Sequence, residues 1–311
     1  MVDATMINIV CNIDDRYLRY CIVMLTSLFV NNKDERFHIH IIAGELSEAS
    51  KQALSDAVEK KYKQKVSFYI VGDKILELCP INKDGYISIA TYYRCFLVSI
   101  LPNEVSKVIY LDCDLIVHGS IRAFWEFDID EYAVGCVEDM WSGKESHYSR
   151  LCYSQEYSYF NAGVLLVNLD YWRKNGIETE IASYIQQYPE RLLYNDQDVL
   201  NAVLYEQRKF LPYRWNMQDG FFRRKRKIWK TSLPALNAEM PKAVIIHFTG
   251  GKKPWHDECV HPCKKLYLEY QDMTQWAGER PEINYWARVN RLFQAAQGVF
   301  GLKNTYIKYK V

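Results

Sequence analysis

The stretch Val108–Val117, VIYLDCDLIV, sets Asp112 and Asp114 inside an otherwise apolar run. Val108–Leu111 and Leu115–Val117 have the β-branched and aromatic content of a buried strand. Ionised groups in such surroundings are costly unless they are paired or bind a cation. Side chains two residues apart on an extended chain share a face, so the two carboxylates can converge on one hard cation such as Mg2+ or Mn2+. A turn at a strand end is the other reading of a bare Asp-x-Asp.

The preceding chain alternates strand and helix. Met6–Cys11 reads as a strand and Asn12–Asp15 ends it. Apolar residues at helical spacing then run from Tyr17 to Phe29. His38–Ala43 is a second strand, a helix capped by Ser47 runs to about Lys61, and Val66–Val71 is a third strand. This order predicts a doubly wound sheet, which binds ligands at the carboxyl ends of its strands. No GxGxxG follows the first strand, so a dinucleotide is not indicated. Asp14 has two open readings, a helix N-cap or an acceptor for a nucleoside. Arg94 lies in an apolar segment expected to be helical, Thr91–Leu101. It is either a snorkelling surface residue or a fixed cation facing phosphate.

Later motifs supply more polar groups. Ala133–Val137 is a strand ending at Glu138-Asp139. Residues 141–158 are polar, tyrosine-rich and aperiodic, as loops over sites often are. Asn161-Ala162-Gly163 precedes an apolar strand, where glycine permits close backbone approach and Asn161 suits either sugar hydroxyls or a turn. Asp196, Gln197 and Asp198 crowd one helix N-terminus, where a single cap suffices. Ala243–His247 reads as a last core strand feeding FTGGKKPW. Its glycines and lysines can cradle a diphosphate, and His247 can join the carboxylates on a metal.

With 311 residues, the chain suits one α/β domain or a domain with an appended segment. A net charge of +1 gives no nucleic-acid signature. Nine cysteines without a CxxC argue against a zinc ribbon and for buried reduced thiols in a reducing cytoplasm. Cys259 and Cys263, near His256 and His261, are read as free thiols rather than ligands. Neither a signal peptide nor a run of about 20 apolar residues is present. Phe221–Lys230 and Trp276–Val311 mix basic and aromatic residues. That mixture suits either an anionic membrane surface or a packed helix with a solvated face.

NIDD, ISIATYYR, YLDCDLIV, YFNAGVLLVNL, NDQDVLN and HFTGGKKPW together resemble glycosyltransferase family 8 over roughly residues 6–257. The resemblance implies a GT-A fold: α/β, a Rossmann-like mixed sheet flanked by helices. Residues 1–257 would form the nucleotide-sugar transferase domain, and 258–311 a small helical, basic-aromatic C-terminal segment. It implies a retaining, metal-dependent hexosyltransferase. Such an enzyme moves galactose or glucose from a UDP-sugar to a saccharide or glycolipid acceptor, as in lipopolysaccharide or cell-surface glycan synthesis. The enzyme would be cytoplasmic or peripheral on the inner membrane face. A glycogenin-like self-glucosylating enzyme and a non-catalytic sugar-nucleotide-binding protein are the alternatives.

Carried over by motif, Asp112, Asp114 and His247 would ligate Mn2+ or Mg2+. Asp14 and Arg16 would meet the nucleoside, Tyr86, Gly250 and Lys253 the diphosphate. Cys113 falls within the donor-binding set. Arg94, Asp139, Asn161, Asp196 and Gln197 would surround the donor sugar, with Gln197 nearest the anomeric carbon. Arg16 and Tyr86 depart from the Asn and His of a bacterial relative. Gln197, Asp196 and Arg94 are the catalytic candidates.

Overall fold

The computed structural model describes residues 6–72, 75, 89–282 and 304–309. Its ten described strands are β1 (Ile7–Asn12), β2 (Phe37–Ala43), β3 (Lys65–Ile70), β4 (Lys107–Leu111), β5 (Leu115–Val117), β6 (Val134–Glu138), β7 (Phe160–Asn168), β8 (Arg208–Phe210), β9 (Met217–Gln218) and β10 (Ile245–His247). Seven form a mixed sheet in the order β3-β2-β1-β4-β7-β6-β8, and β5-β10-β9 form a small second sheet. In the large sheet β7 runs antiparallel to both neighbours, whereas the other pairings are parallel.

Strand alternation explains why both faces of this sheet are dry. Ile9, Ile109 and Leu111 point into the layer that holds helix Leu18–Val30, while Val10, Val108 and Tyr110 point into the opposite layer. The helix Leu18–Val30 is buried continuously from Cys21 to Phe29. It also anchors the second sheet, because the Ser27 hydroxyl accepts from Val117 N at 2.9 Å.

Three elements depart from the sequence expectation. VIYLDCDLIV is two strands in two sheets rather than one, with the Asp-Cys-Asp corner between them. Two backbone bonds hold that corner, Asp112 N to Gly163 O at 2.8 Å and Phe248 N to Asp114 O at 2.9 Å. The strand ending at His247 is the middle of the small sheet, not part of the large one. The segment expected to be a helix over Thr91–Leu101 is a 3-10 stretch, Ile89–Cys95, and a single turn, Leu97–Ile100. Its residues Tyr92–Leu97 are all buried, so it has no polar face for an amphipathic helix. The aperiodic 141–158 stretch carries a short helix, Ser146–Leu151, and a 3-10 turn, Gln155–Tyr157.

Beyond residue 257, helix Lys264–Gln271 buries Tyr267 and Tyr270, and the Tyr270 hydroxyl accepts from Asn31 Nδ2 at 2.7 Å. Residues 304–309 return to Phe222–Arg224, where Ile307 N donates to Phe222 O at 2.8 Å. Among the described residues no helix is long and apolar enough to cross a membrane. The helical spacing expected after Trp276 falls largely outside the described residues.

Candidate active site

The ends of β1, β4 and β6 and the start of antiparallel β7 all lie at one edge of the large sheet. Carboxyl ends of parallel strands carry the ligand-binding loops of such sheets. Here they deliver Asp14, Asp112, Asp139 and Asn161. Strand β10 adds His247 from the second sheet. The 3-10 stretch adds Arg94, and the first turn of helix Asp196–Leu204 adds Asp196 and Gln197.

Asp112, Asp114 and His247 offer ligand atoms that all lie within 4.8 Å of one another. His247 Nε2 is 3.0 Å from Asp114 Oδ1 and 3.7 Å from Asp112 Oδ2. This approach requires glycine at 163, because a Cβ there would collide with the His247 ring and the Asp112 carboxylate. Two carboxylates and an imidazole make a donor set suited to Mn2+ or a similar divalent ion. The residues present therefore fit the divalent metal expected of this fold.

Two cations, buried Arg94 and partly buried Lys253, flank the carboxylates. Lys253 Nζ donates to Asp114 Oδ2 at 2.5 Å and to Phe248 O at 2.7 Å. Burial works against the Asp114 charge, but Lys253 and His247 outweigh it and hold the carboxyl well below the usual range. Arg94 is buried and does not snorkel. Its Nη2 lies 2.9 Å from Asp112 Oδ1 and its Nε 3.1 Å from Asp196 Oδ2, and it stacks on the Tyr110 ring at 4.4 Å. Of the two readings left open by the sequence, the fixed cation holds, although in this arrangement it faces carboxylates.

The sugar-side candidates form an amide network. Asn161 Nδ2 donates to Gln197 Oε1 at 3.1 Å and to Asp139 Oδ2 at 3.2 Å, and Ala162 N donates to Gln197 Oε1 at 3.0 Å. Asp139 is buried and also accepts from Trp141 N at 2.8 Å. Burial pushes its carboxyl up to about 6, against the pull of these donors. Burial also pushes Asp196 up to about 6, against the pull of Arg94. Asp198, the third polar group of that turn, is structural. It is fully buried and paired with Arg150 at 2.6 Å and with the Tyr159 hydroxyl at 2.8 Å. Asn195 starts the helix at a φ of +49°, a conformation that costs energy for a residue with a side chain and that clusters at functional sites.

A cavity of about 590 Å³ opens beside the carboxylates. Its wall includes Asp14, Arg16, Arg94, Asp112, Cys113 and Asp114 from the expected set. Asp14 both caps the turn Asp15–Tyr17, accepting from Tyr17 N at 3.1 Å, and pairs with exposed Arg16 at 2.7 Å. Cys113 reaches the wall, but its thiol is buried, 3.8 Å from Asn12 O. Gly250 packs on the Asp219 carboxylate, with an added Cβ falling 2.9 Å from Oδ1. Tyr86 lies outside the described residues.

Sequence reasoning missed Tyr17, Tyr20 and Trp255 on the cavity wall, although the last two stack with centroids 3.7 Å apart. The spacing of Tyr17 and Tyr20 on one helical face was a usable signal. Buried Asn216 was missed too, and nothing in its local sequence marks it. It sits between His247 Nδ1, 3.0 Å from its Oδ1, and Asn161 Oδ1, which accepts from its Nδ2 at 2.8 Å.

The profile of "Glycosyl transferase family 8" matches residues 8–259. General stress protein A of Bacillus subtilis is 31% identical over 275 residues, covering 86% of this chain and 94% of that protein. The lipopolysaccharide 1,3-galactosyltransferase of Salmonella typhimurium is 26% identical over 281 residues, covering 88% and 80%. The crystal structure of galactosyltransferase LgtC with donor and acceptor sugar analogs superposes with a TM-score of 0.78 at 26% identity, covering 91% of this chain and 99% of that one.

Proposed function

The chain belongs to glycosyl transferase family 8, and on that premise we propose that it moves galactose or glucose from a UDP-sugar to a saccharide hydroxyl. Membership makes it a retaining hexosyltransferase on a GT-A fold. The names of its relatives support an acceptor in lipopolysaccharide or a related cell-surface glycan. The observation that carries the reading is the convergence of Asp112, Asp114 and His247 beside a cavity wide enough for a nucleotide.

In this reading Mn2+ or Mg2+ is held by those three residues and supplies Lewis-acid stabilisation of the diphosphate leaving group. Lys253 adds a second positive charge at the same place. Tyr17, and the stacked Tyr20 and Trp255, offer aromatic surface for the base, with Asp14 and Arg16 at the nucleoside end. Arg94 ties the phosphate side to the sugar side through Asp112 and Asp196.

Retention has two routes, same-face attack or a glycosyl-enzyme. Gln197 Oε1 already accepts two protein hydrogen bonds, which makes it a poor nucleophile. We therefore favour same-face attack. The anomeric carbon–phosphate oxygen bond breaks, the acceptor oxygen bonds to the same face, and the departing phosphate oxygen takes the acceptor's proton. Asp196 is the nucleophile of the other route. The acceptor approaches past Trp141 and Tyr194, which are 36% and 41% exposed next to Asp139 and Gln197. Exposed Arg224, Lys225, Lys227 and Lys230 suit an anionic membrane surface bearing a lipid-linked acceptor.

UDP release from a panel of UDP-sugars, with Mn2+ or with chelator, tests this directly. Metal-dependent release from one hexose donor, lost in Asp114→Ala, is expected. Release unaffected by chelator would overturn the metal assignment. Absence of release with every donor, both alone and with an acceptor glycan extract, would overturn the transfer itself.

A further inference from the structure

We infer that Asn216 is a positioning residue that fixes the tautomer of His247, so that Nε2 faces the Asp112–Asp114 pair as a ligand. The inference rests on the metal site proposed above. It starts, however, from a backbone amide, whose N–H can only donate.

Gly163 N donates to the Asn161 side chain at 3.0 Å, so the Asn161 atom at that position is its oxygen. Asn216 approaches this same oxygen at 2.8 Å and must present its NH2 group there. The Asn216 oxygen is then the atom 3.0 Å from His247 Nδ1, and Nδ1 has to carry a hydrogen. The ring's other nitrogen, Nε2, is the one beside both carboxylates. A second backbone amide fixes the far end in the same way. Ala162 N donates to Gln197 at 3.0 Å, so that atom is the oxygen, and the Gln197 NH2 faces Asp139 Oδ2 at 3.3 Å.

The result is a one-way chain of donors. His247 Nδ1–H donates to Asn216, Asn216 to Asn161, and Asn161 to Gln197 and Asp139. Asn216, His247 and Asn161 are buried, so water cannot substitute freely for any of them. A ligating histidine whose second nitrogen is fixed by a hydrogen bond holds its ring orientation and tautomer, and loss of such a partner typically weakens metal affinity 10–100-fold. Here the partner also reaches the sugar side. One amide therefore fixes the ligating face of His247 and links it to the sugar-side network at Asn161.

The test compares the native chain with Asn216→Leu, which removes the acceptor at similar volume, and Asn216→Asp, which keeps an acceptor for Nδ1 but loses the NH2 that donates to Asn161 Oδ1. Ring 15N shifts and couplings of labelled histidine report the tautomer in metal-free protein. Calorimetry with Mn2+ alone reports affinity. We expect a hydrogen on Nδ1 in the native chain and in Asn216→Asp, whether or not Nε2, 3.0 Å from Asp114 Oδ1, is protonated as well before a metal binds. We expect mixed tautomers and roughly 10–100-fold weaker Mn2+ binding in Asn216→Leu. A native His247 ring with no hydrogen on Nδ1 would overturn the inference, and that measurement stands even if Asn216→Leu does not fold. Native Mn2+ affinity and native tautomer in folded Asn216→Leu would overturn it as well, with the metal site intact. A native chain that binds no Mn2+ would instead overturn the metal site, and with it the ligand role given to Nε2.

Discussion

Asp112 and Asp114 stand at one end of the site, and Asp139 and Asp196 at the other. Arg94 touches both pairs, yet their surroundings differ. Asp114 is held charged by Lys253 and His247, which outweigh the cost of its burial. Asp139 and Asp196 are pushed up to about 6, because burial outweighs their donors and, for Asp196, Arg94. One residue type thus serves two purposes by environment alone. Asp114 is kept ionised within the cluster proposed to bind a cation. Asp139 and Asp196 sit closer to neutral, beside the place proposed for the donor sugar. A carboxyl that titrates near 6 can donate or accept toward such hydroxyls, whereas a fully ionised one only accepts.

The strongest way to break this comparison is at Asp114. Asp114→Asn keeps the shape and removes the charge, leaving partly buried Lys253 without its carboxylate. We expect kcat/KM for donor turnover to fall by about 10³-fold or more, since a metal ligand and a charge partner are lost together. The same substitution at Asp139, with metal saturating, is expected to leave Mn2+ affinity within about threefold, because Asp139 is not a first-sphere ligand in this assignment. Equal loss of Mn2+ affinity in both variants would erase the distinction.

A second test acts on packing. Gly163→Ala adds one methyl against the His247 ring and the Asp112 carboxylate. Overpacking of this kind costs about 1–3 kcal/mol, read as a lower urea midpoint. We expect it also to weaken Mn2+ binding. Unchanged stability and Mn2+ affinity would show that the corner has slack.

The metal end was the more legible in the sequence, for a physical reason. Asp112 and Asp114 are two residues apart within an apolar run, so local pattern alone exposes the anomaly. Gly163 announced a close approach, and the structure supplies what approaches it. The βαβ order and the first three strands were equally readable, because their periodicity is local. Whether VIYLDCDLIV stays in one sheet was not readable. Strands β4 and β5 are both apolar and β-branched, and only tertiary pairing, with β1 and β7 for one and with β10 for the other, sends them apart. Asn216 and Trp255 reach the site from distant segments, and no short-range pattern distinguishes a buried bridging amide from a turn residue. The family motifs located Asp139, Asn161 and Gln197, but their mutual hydrogen bonds belong to the fold.

The sharpest test is one of sign, in metal-free protein. For Asp139 the folded carboxyl titrates at about 6, above the ordinary value of 3.8, so the folded state binds the proton more tightly. Between about pH 4 and pH 6 the unfolded chain has released that proton and the folded chain has not, so stability falls as pH rises. For Asp114 the folded carboxyl titrates below the ordinary value. Its contribution is present above that value and is lost as pH falls into the acid range. Asn substitutions cancel each dependence. Relative to the native chain, Asp139→Asn should therefore gain about 1–3 kcal/mol on going from pH 4 to pH 7, following ~1.4 kcal/mol per pKa unit. Asp114→Asn should lose ground relative to the native chain as pH rises from below 3.8. Urea unfolding of the three proteins with chelator across this range reads both slopes, and common acid effects cancel in the differences. Slopes of the same sign would mean that the two carboxylate environments are not opposed, and that the division between a charged metal end and a near-neutral sugar end does not exist in this chain.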